Sequence, residues 1–302
     1  MVRASGAQRG AAGPQTSWSL PRPEQVVPAL YLCPTPIGNL GDVTLRTLWV
    51  LSRVQLVLAE DTRRAGILCK AYGLAPLRLV SYHRFNEAER IAMVLASLRA
   101  GESVALISDA GTPLVADPGE RLVRAVLAEG ERVIPLPGAQ AVWPALTASG
   151  LPVLPAHHEG SLPRTRAARR RRLQALAGQA ETLLFYESPQ RVLATLQDMR
   201  EVFGDRPACL ARELTKRHET FWRGSLSELE KRLKGEAPRG EVVLVVGGGG
   251  AGRGEAESLS AWVDAMLAQG LSSRDIRKKA RSAGHPGNQA YLLAEAGRDR
   301  EA

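Results

Sequence analysis

The sequence predicts an α/β protein: two α/β domains followed by a small helical appendage. Three observations carry this. Short apolar runs alternate with helical periodicity through the first half, the pattern of a mainly parallel sheet covered on both faces. The strand ends of that half open into loops crowded with proline and glycine, and the ends of buried strands are where an open sheet holds a ligand. A glycine-rich stretch, 247–254, sets the last helical run apart from the rest.

The elements follow in chain order. Residues 1–28 are rich in Gly, Pro, Ala and Arg and lack the compact apolar core of a signal peptide, so a disordered tail is expected. The first domain is predicted over 29–149. Its first strand, Ala29–Leu32, leads into Pro34–Asp42, with Asp42 or Thr44 capping the next helix. Leu56–Ala59 ends in Glu60-Asp61-Thr62-Arg63, and Leu77–Val80 ends in Ser81-Tyr82-His83. A helix over 86–100 carries Ile91, Val94, Leu95 and Leu98 on one face, and Gly101 closes it. Val104–Leu106 then opens into Ile107–Gly119, which packs two acids, two glycines and two prolines into one strand-to-helix crossing. A further helix ends at Gly130, and the strand Arg132–Ile134 runs into Pro135-Leu136-Pro137-Gly138-Ala139. Neither the Gly-x-Gly-x-x-Gly fingerprint nor the Walker loop is present, so a nucleotide-like ligand would not follow the common phosphate-on-helix arrangement.

The second domain is predicted over 150–247, with strands at Thr182–Tyr186, Ala208–Ala211, Glu219–Trp222 and Glu241–Val246. Hairpin-like spacing mixed with helices predicts a mixed sheet. Ser225 to Glu228 has the spacing of a capping box. The appendage is predicted over 248–302. Leu259, Val263, Met266 and Leu267 share a helical face, and a turn and cap follow at Gly270–Asp275. Lys278, Lys279 and Arg281 make the next segment basic, either as a helix-turn-helix-like contact to RNA or to the protein itself, or as a solvated helix pair.

Composition narrows the class. Of 302 residues, 44% are hydrophobic and 24% charged, which fits a globular protein. No apolar run reaches the length of a bilayer span. Cys33, Cys69 and Cys209 lie far apart without metal-ligand spacing, so buried free thiols in a reducing, cytoplasmic compartment are expected. Forty Lys and Arg stand against 31 acids, a net +9, which favours a polyanionic partner such as RNA. The densest cationic run is Arg164, Arg166, Arg169, Arg170, Arg171 and Arg172, read either as phosphate contacts or as a solvated helix face.

The loops, in their order, resemble a known family. Thr35-Pro36-Ile37-Gly38-Asn39-Leu40, Ala59-Glu60-Asp61-Thr62-Arg63, Ser108-Asp109-Ala110-Gly111-Thr112-Pro113, Phe185-Tyr186-Glu187-Ser188 and Arg212-Glu213-Leu214-Thr215-Lys216 are similar to motifs of the ribosomal RNA small subunit methyltransferase I group, within the tetrapyrrole methylase superfamily. The resemblance covers about residues 29–295. It implies two α/β domains of the tetrapyrrole methylase type with S-adenosyl-L-methionine in the cleft between them and no metal requirement there. It implies methylation of the ribose 2′-hydroxyl of a cytidine (cytidine 1402) in the decoding region of 16S rRNA, by a homodimer acting on the small ribosomal subunit. The alternatives are a corrin-type tetrapyrrole methyltransferase and a non-catalytic RNA-binding protein. The arginine run argues against the first, and the intact Ser108–Pro113 loop argues against the second.

Site residues follow on that footing. A ribose hydroxyl is a poor nucleophile, so a general base is expected. Glu60, Asp61, Asp109, Glu187, Glu213 and Lys216 are candidates, with Glu60 or Lys216 favoured. Like charges at Arg212 and Arg217 would lower the Lys216 pKa; the ammonium would otherwise hold a phosphate. The alternative for Glu60-Asp61 is helix capping and pairing with Arg63 or Arg64. The expected cofactor residues are Ile37, Gly38, Ser108, Asp109, Ala110, Gly111, Thr112, Ala116 and Asp117 from the first half. From the second half they are Phe185, Tyr186, Glu187, Ala211 through Leu214, and Gly240, with the two aromatics covering the adenine. Arg63 and the arginine run are expected to meet RNA. His83 and Asn86, in a His-x-x-Asn-Glu turn with Glu87, either position RNA or cap a helix. His157 and His158 show no acidic partner that suggests a metal or triad and are expected on the surface. Two positions depart from the family pattern, Ser161 where Phe is usual and Ala139 where Pro is usual.

Overall fold

The computed structural model describes residues 25–76, 78–235, 240–249, 253–283 and 285–298. Most of the tail expected at the start, Leu77 of the third predicted strand, and the middle of the 247–254 stretch lie outside the described residues. Contacts divide the chain into two units, which do not follow a single cut along the sequence. One holds Thr44–Ile107 and Pro118–Pro137 with the residues up to Cys33; the other holds Pro34–Val43, Ser108–Asp117 and Gly138 onward.

The first unit is a five-stranded sheet of β1 (Leu30–Cys33), β2 (Leu56–Ala59), β3 (Leu79–Ser81), β4 (Val104–Ile107) and β5 (Val133–Pro135). Its order is β3-β2-β4-β1-β5, and every pairing is parallel. Leu56, Val57, Leu58, Val104 and Ala105 are fully buried, as unbroken apolar runs in a doubly covered sheet should be. Between the strands run α1 (Leu45–Leu51), α2 (Thr62–Ala71), α3 (Glu87–Arg99) and α4 (Glu120–Ala128). Thr44 rather than Asp42 caps α1, its side chain accepting from the Thr47 amide; Asp42 ends a short 3-10 turn. In β1 and β4, Cys33 stands opposite Ile107. The loops that leave those two strands therefore start side by side.

The second unit carries a mixed sheet of β6 (Ala156–Ser161), β7 (Thr182–Glu187), β8 (Pro207–Arg212), β9 (Thr220–Ser225) and β10 (Val242–Val246). Its order is β6-β7-β10-β8-β9, and only β6 with β7 is parallel. The sheet packs α5 (Val142–Thr147) on one face, and α6 (Arg166–Leu176), α7 (Val192–Phe203) and α8 (Leu226–Gly235) on the other. The central β10 is apolar on both faces. Val242, Leu244 and Val246 join the core with Leu173, Phe185 and Met199, while Val243 and Val245 join Val142, Leu146 and Ala211. The capping box forms as spaced: the Ser225 amide donates to Glu228 at 2.7 Å, and the Glu228 amide to Ser225 Oγ at 3.3 Å.

Beyond β10 lie α9 (Arg253–Ala268), α10 (Ser273–Ser282) and α11 (Gly287–Arg298). They enclose an apolar cluster of their own, with Leu259, Val263, Ile276, Ala280, Ala290 and Ala294 buried. Ser272 caps α10 by accepting from the Asp275 amide. All three cysteines are buried free thiols. Among the described residues no helix is long and apolar enough to cross a membrane.

Candidate active site

The site grows from the two loops that β1 and β4 release. They are laced together at their bases: the Thr35 amide donates to the Gly111 carbonyl at 2.9 Å, and the Gly111 amide returns the bond at 2.8 Å. Thr35 Oγ1 donates to the Ser108 carbonyl at 3.0 Å, and Ser108 Oγ to the Gly111 carbonyl at 2.7 Å. Thr112 Oγ1 ties the second loop to the Ala139 carbonyl at 3.1 Å. Only the main chain of Ala139 takes part in this bond, so the missing proline does not remove it. Gly138 is a requirement of space, since a Cβ there would stand 2.5 Å from Pro34 Cβ. This lacing consumes the side chains of Ser108 and Thr112 and leaves Asp109 half-buried between them.

The first loop also meets the turn after β8. Ile37 packs against the apolar cluster that holds Ala211 and Leu214, as does Tyr186. Gly38 approaches so closely that a Cβ would overlap Lys216 Cγ and lie 3.0 Å from Thr215 Oγ1. The turn is strained. Glu213 has φ 50° and Thr215 φ 65°, and the facing loop adds Leu114 at φ 72°. Non-glycine residues held there cost about 1–3 kcal/mol each and persist only where their surroundings enforce them, which concentrates them at functional sites. Thr215 Oγ1 is buried and has no hydrogen-bond partner among the described residues. A buried hydroxyl left unpaired is unfavourable by about 1–3 kcal/mol, and a ligand that bonds it recovers that energy. Sequence reasoning did not single out Thr215, because a β-branched residue in the left-handed region leaves no trace in composition.

Lys216 differs from expectation. Burial pulls its ammonium down, but the Glu213 hydrogen bond and the carboxylates of Glu241 and Glu213 outweigh burial, so its pKa rises. Lys216 Nζ stands 2.9 Å from Glu213 Oε1 and 3.4 Å from Glu241 Oε2. The like charges at Arg212 and Arg217 do not prevail, and a lysine held protonated is no general base. Glu213 is held ionised, chiefly by the Lys216 hydrogen bond and also by the Glu241 amide. That leaves Glu213 a positioning group. Gly240, at φ 80°, makes room for it, because any Cβ there would overlap the Glu213 carboxylate.

In β7 the pleat divides the expected residues between two faces. Tyr186 lies on the Ile37 side, and its pKa is pushed up to about 12 by burial, then by the carboxylates of Asp117 and Glu241. Phe185 points the other way, fully buried among the side chains that line α6, α7 and α8, so its ring cannot cover a ligand. Glu187 shares that face: its oxygens accept from the Ser188 amide at 2.8 Å and Thr195 Oγ1 at 2.6 Å, with Arg191 Nε 3.4 Å away. Glu187 anchors the start of α7 and is withdrawn as a ligand or base. On β6, His157 and Glu159 fall on one side of the strand, and His157 Nε2 sits 2.9 Å from Glu159 Oε2, an acidic partner that the sequence reading missed.

The remaining candidates belong to the first unit. Asp61 takes the capping role. It accepts from the Arg63 amide at 2.9 Å and the Arg63 guanidinium at 2.7 Å, and that guanidinium holds its carboxyl well below the usual carboxylate range. Arg63 nonetheless keeps 88% of its side chain exposed. Glu60, at the end of β2, is exposed and makes no hydrogen bond or ion pair among the described residues. The His83-to-Glu87 turn is a latch: the His83 amide donates to Asn86 Oδ1 at 2.8 Å, Asn86 Nδ2 donates to the Ser81 carbonyl at 3.0 Å, and Tyr82 donates to the buried Glu87 at 2.7 Å. Asn86 thus stands at the N-cap position of α3, but its side chain closes the turn and makes no cap hydrogen bond.

Most of the arginine run is paired with acids, although only Arg169 is buried. Arg169 is 5% exposed and pairs with Asp198 on α7 at 2.6 Å; Arg166 meets the other Asp198 oxygen at 3.0 Å. Arg170 pairs with Glu201, and Arg172 with Glu159. Helical spacing places these arginines over the acids of α7 and β6, so Arg169 is withdrawn as a phosphate contact. Arg164 and Arg171 stay exposed without an ion pair among the described residues.

Residues 29–230 match the profile of the family described as Tetrapyrrole (Corrin/Porphyrin) Methylases. The chain belongs to the tetrapyrrole methylase family. Within it, the chain is 48% identical over 266 residues to the ribosomal RNA small subunit methyltransferase I of Micromonospora olivasterospora, covering 87% of this chain and 85% of that one. It is 46% identical over 254 residues to the protein of the same name from Pseudomonas aeruginosa, covering 83% and 89%. A cobalt precorrin-4 methyltransferase of cobalamin biosynthesis superposes with a TM-score of 0.56 at 18% identity, covering 73% of this chain and 95% of that one. At that identity the likeness concerns the fold of this tetrapyrrole methylase family member and not its substrate.

Proposed function

We propose that this protein transfers a methyl group from S-adenosyl-L-methionine to the ribose 2′-hydroxyl of a cytidine in the decoding region of 16S rRNA, within the small ribosomal subunit. The supporting observation is the 48% identity, over most of both chains, to a relative named for small-subunit rRNA methylation. We place the enzyme in the cytoplasm as a homodimer. Two observations support a ligand at the laced loops: Thr215 Oγ1 is buried with no hydrogen-bond partner among the described residues, and the 34–43 loop approaches the 213–216 turn as closely as only a glycine at 38 permits.

When bound, the sulfonium supplies a methyl already activated for displacement. Ile37, Gly38 and the main chain of 108–112 would hold it, with Asp109 accepting from its hydroxyl or amino groups and Ala116, Asp117, Tyr186, Ala211 and Leu214 around it. Thr215 Oγ1 supplies a further bond. As the base for the 2′-hydroxyl proton we favour Glu60, the candidate carboxylate that is exposed and has no partner among the described residues. Lys216, held charged, draws a carboxylate or phosphate and keeps its proton. Arg63, Arg164 and Arg171 steady the RNA backbone.

The test is transfer of labelled methyl to small subunits that lack this modification, followed by nuclease mapping. Label on the ribose of a decoding-region cytidine is expected. Label on a base, or none on RNA, would overturn the reading. Calorimetry without heat on adding S-adenosyl-L-methionine would instead favour a non-catalytic RNA-binding protein.

A further inference from the structure

With the 164–172 run largely neutralised, the surplus positive charge concentrates elsewhere. Helix α10, ten residues long, holds Arg274, Arg277, Lys278, Lys279 and Arg281 against one acid, Asp275, so +4 of the chain's net +9 lies on it. All five cations are exposed, and none has an ion-pair partner among the described residues. The one acid is used in the cap, where the Ser272 hydroxyl donates to it.

The pattern along the helix is ordered. Ile276 and Ala280 are buried in the cluster shared with α9 and α11. Arg274, Arg277, Lys278 and Arg281 fall at i, i+3, i+4 and i+7, a single stripe spanning about 10 Å at a helical rise of 1.5 Å per residue. Two of the four are held in place by the fold. Arg277 lies over the Tyr291 ring at 6.0 Å, and Arg281 packs where a Cβ on Gly287 would stand 2.7 Å from its Cγ. A solvated helix usually interleaves acids with its bases, since like charges three and four apart repel. This one keeps the repulsion and holds two of the side chains against its neighbouring helix. That arrangement suits a ligand bringing several negative charges in a row.

We propose that α10 is a docking helix for the phosphate backbone of RNA, supplying affinity that does not depend on sequence and tethering the substrate away from the reacting atoms. This rests on the proposed rRNA substrate. A protein partner would need an acidic face of matching spacing, whereas the RNA backbone brings complementary charge at every nucleotide.

The experiment uses the full chain with Arg274, Arg277, Lys278 and Arg281 all changed to Gln, and 16S rRNA transcribed in vitro as the probe. Each phosphate contact contributes about 0.7–0.9 to the slope of log K against log salt. The variant should therefore flatten that slope by roughly three and bind about tenfold or more weaker near 0.1 M salt. Its affinity for S-adenosyl-L-methionine and its thermal unfolding should match the parent. A second variant with Lys at 274, 277 and 281 should restore the slope. If the parent methylates rRNA but the Gln variant keeps the full slope, the docking helix is wrong and the proposed function stands. If the parent neither binds nor methylates rRNA, both fail. A slope lost with Gln and not restored with Lys overturns the point-charge contact proposed.

Discussion

Glu60 and Lys216 entered as rivals for one role, and their surroundings separate them. Lys216 is flanked by two carboxylates and stays protonated; Glu60 is exposed and has no partner among the described residues. Glu60→Gln should therefore lower kcat by about 10²–10⁴ while leaving cofactor affinity intact, measured by single-turnover methyl transfer beside calorimetry. The Glu213–Lys216 pair predicts its own pH range. Glu213 is depressed in the folded protein, so its contribution is present above its unfolded value near 4.3 and is lost as pH falls through the lower folded value. Lys216 is raised, so its contribution is complete below about 10.4 and is lost as pH rises through the higher folded value. An NMR titration of the two side chains should show this plateau with both edges displaced outward. At this scale the sequence was least legible. It named the turn at 212–216, but the lysine shift sets burial against the Glu213 hydrogen bond and the carboxylate of Glu241, and Glu241 lies 25 positions away.

Elements were easier to read than the side chains on them. The strand β7 and the capping box before α8 follow from local pattern, and the structure has both. Phe185 and Glu187 were misread because a motif was taken whole, although a pleated strand must send its alternate members to opposite faces. The arginine run was misread for a related reason: a helix face of one charge can be covered by acids from elements far along the chain, and α7 supplies Asp198 and Glu201. Arg169→Met should accordingly destabilise the protein by about 3–5 kcal/mol in urea unfolding, since Asp198 loses its most buried partner. Arg171→Ala should stay within about 0.5 kcal/mol. The reverse ranking would mean that the run is a surface feature after all.

For the whole molecule, both sheets, their parallel and mixed character and the separate helical cluster at the end could be read from periodicity. The partition of the chain could not. A cut near residue 150 follows the strand pattern, whereas contacts assign Pro34–Val43 and Ser108–Asp117 to the later unit. Loop membership is set by long-range lacing such as Thr35 with Gly111, which periodicity does not report. Hydrogen exchange should show it. Adding S-adenosyl-L-methionine should slow exchange together in 34–43, 108–117 and 213–216, with α9 to α11 unchanged. Protection confined to one of the three segments would contradict a shared site.

That lacing restricts how such genes can recombine. A chimera joined at Gly138, taking everything beyond from a distant cousin, would inherit two intact sheets and should fold. Its ligand-gripping segments would nevertheless come from different parents. Crossovers that carry 34–43 and 108–117 along with the later half, awkward as three separate splices, are the ones that would breed active hybrids.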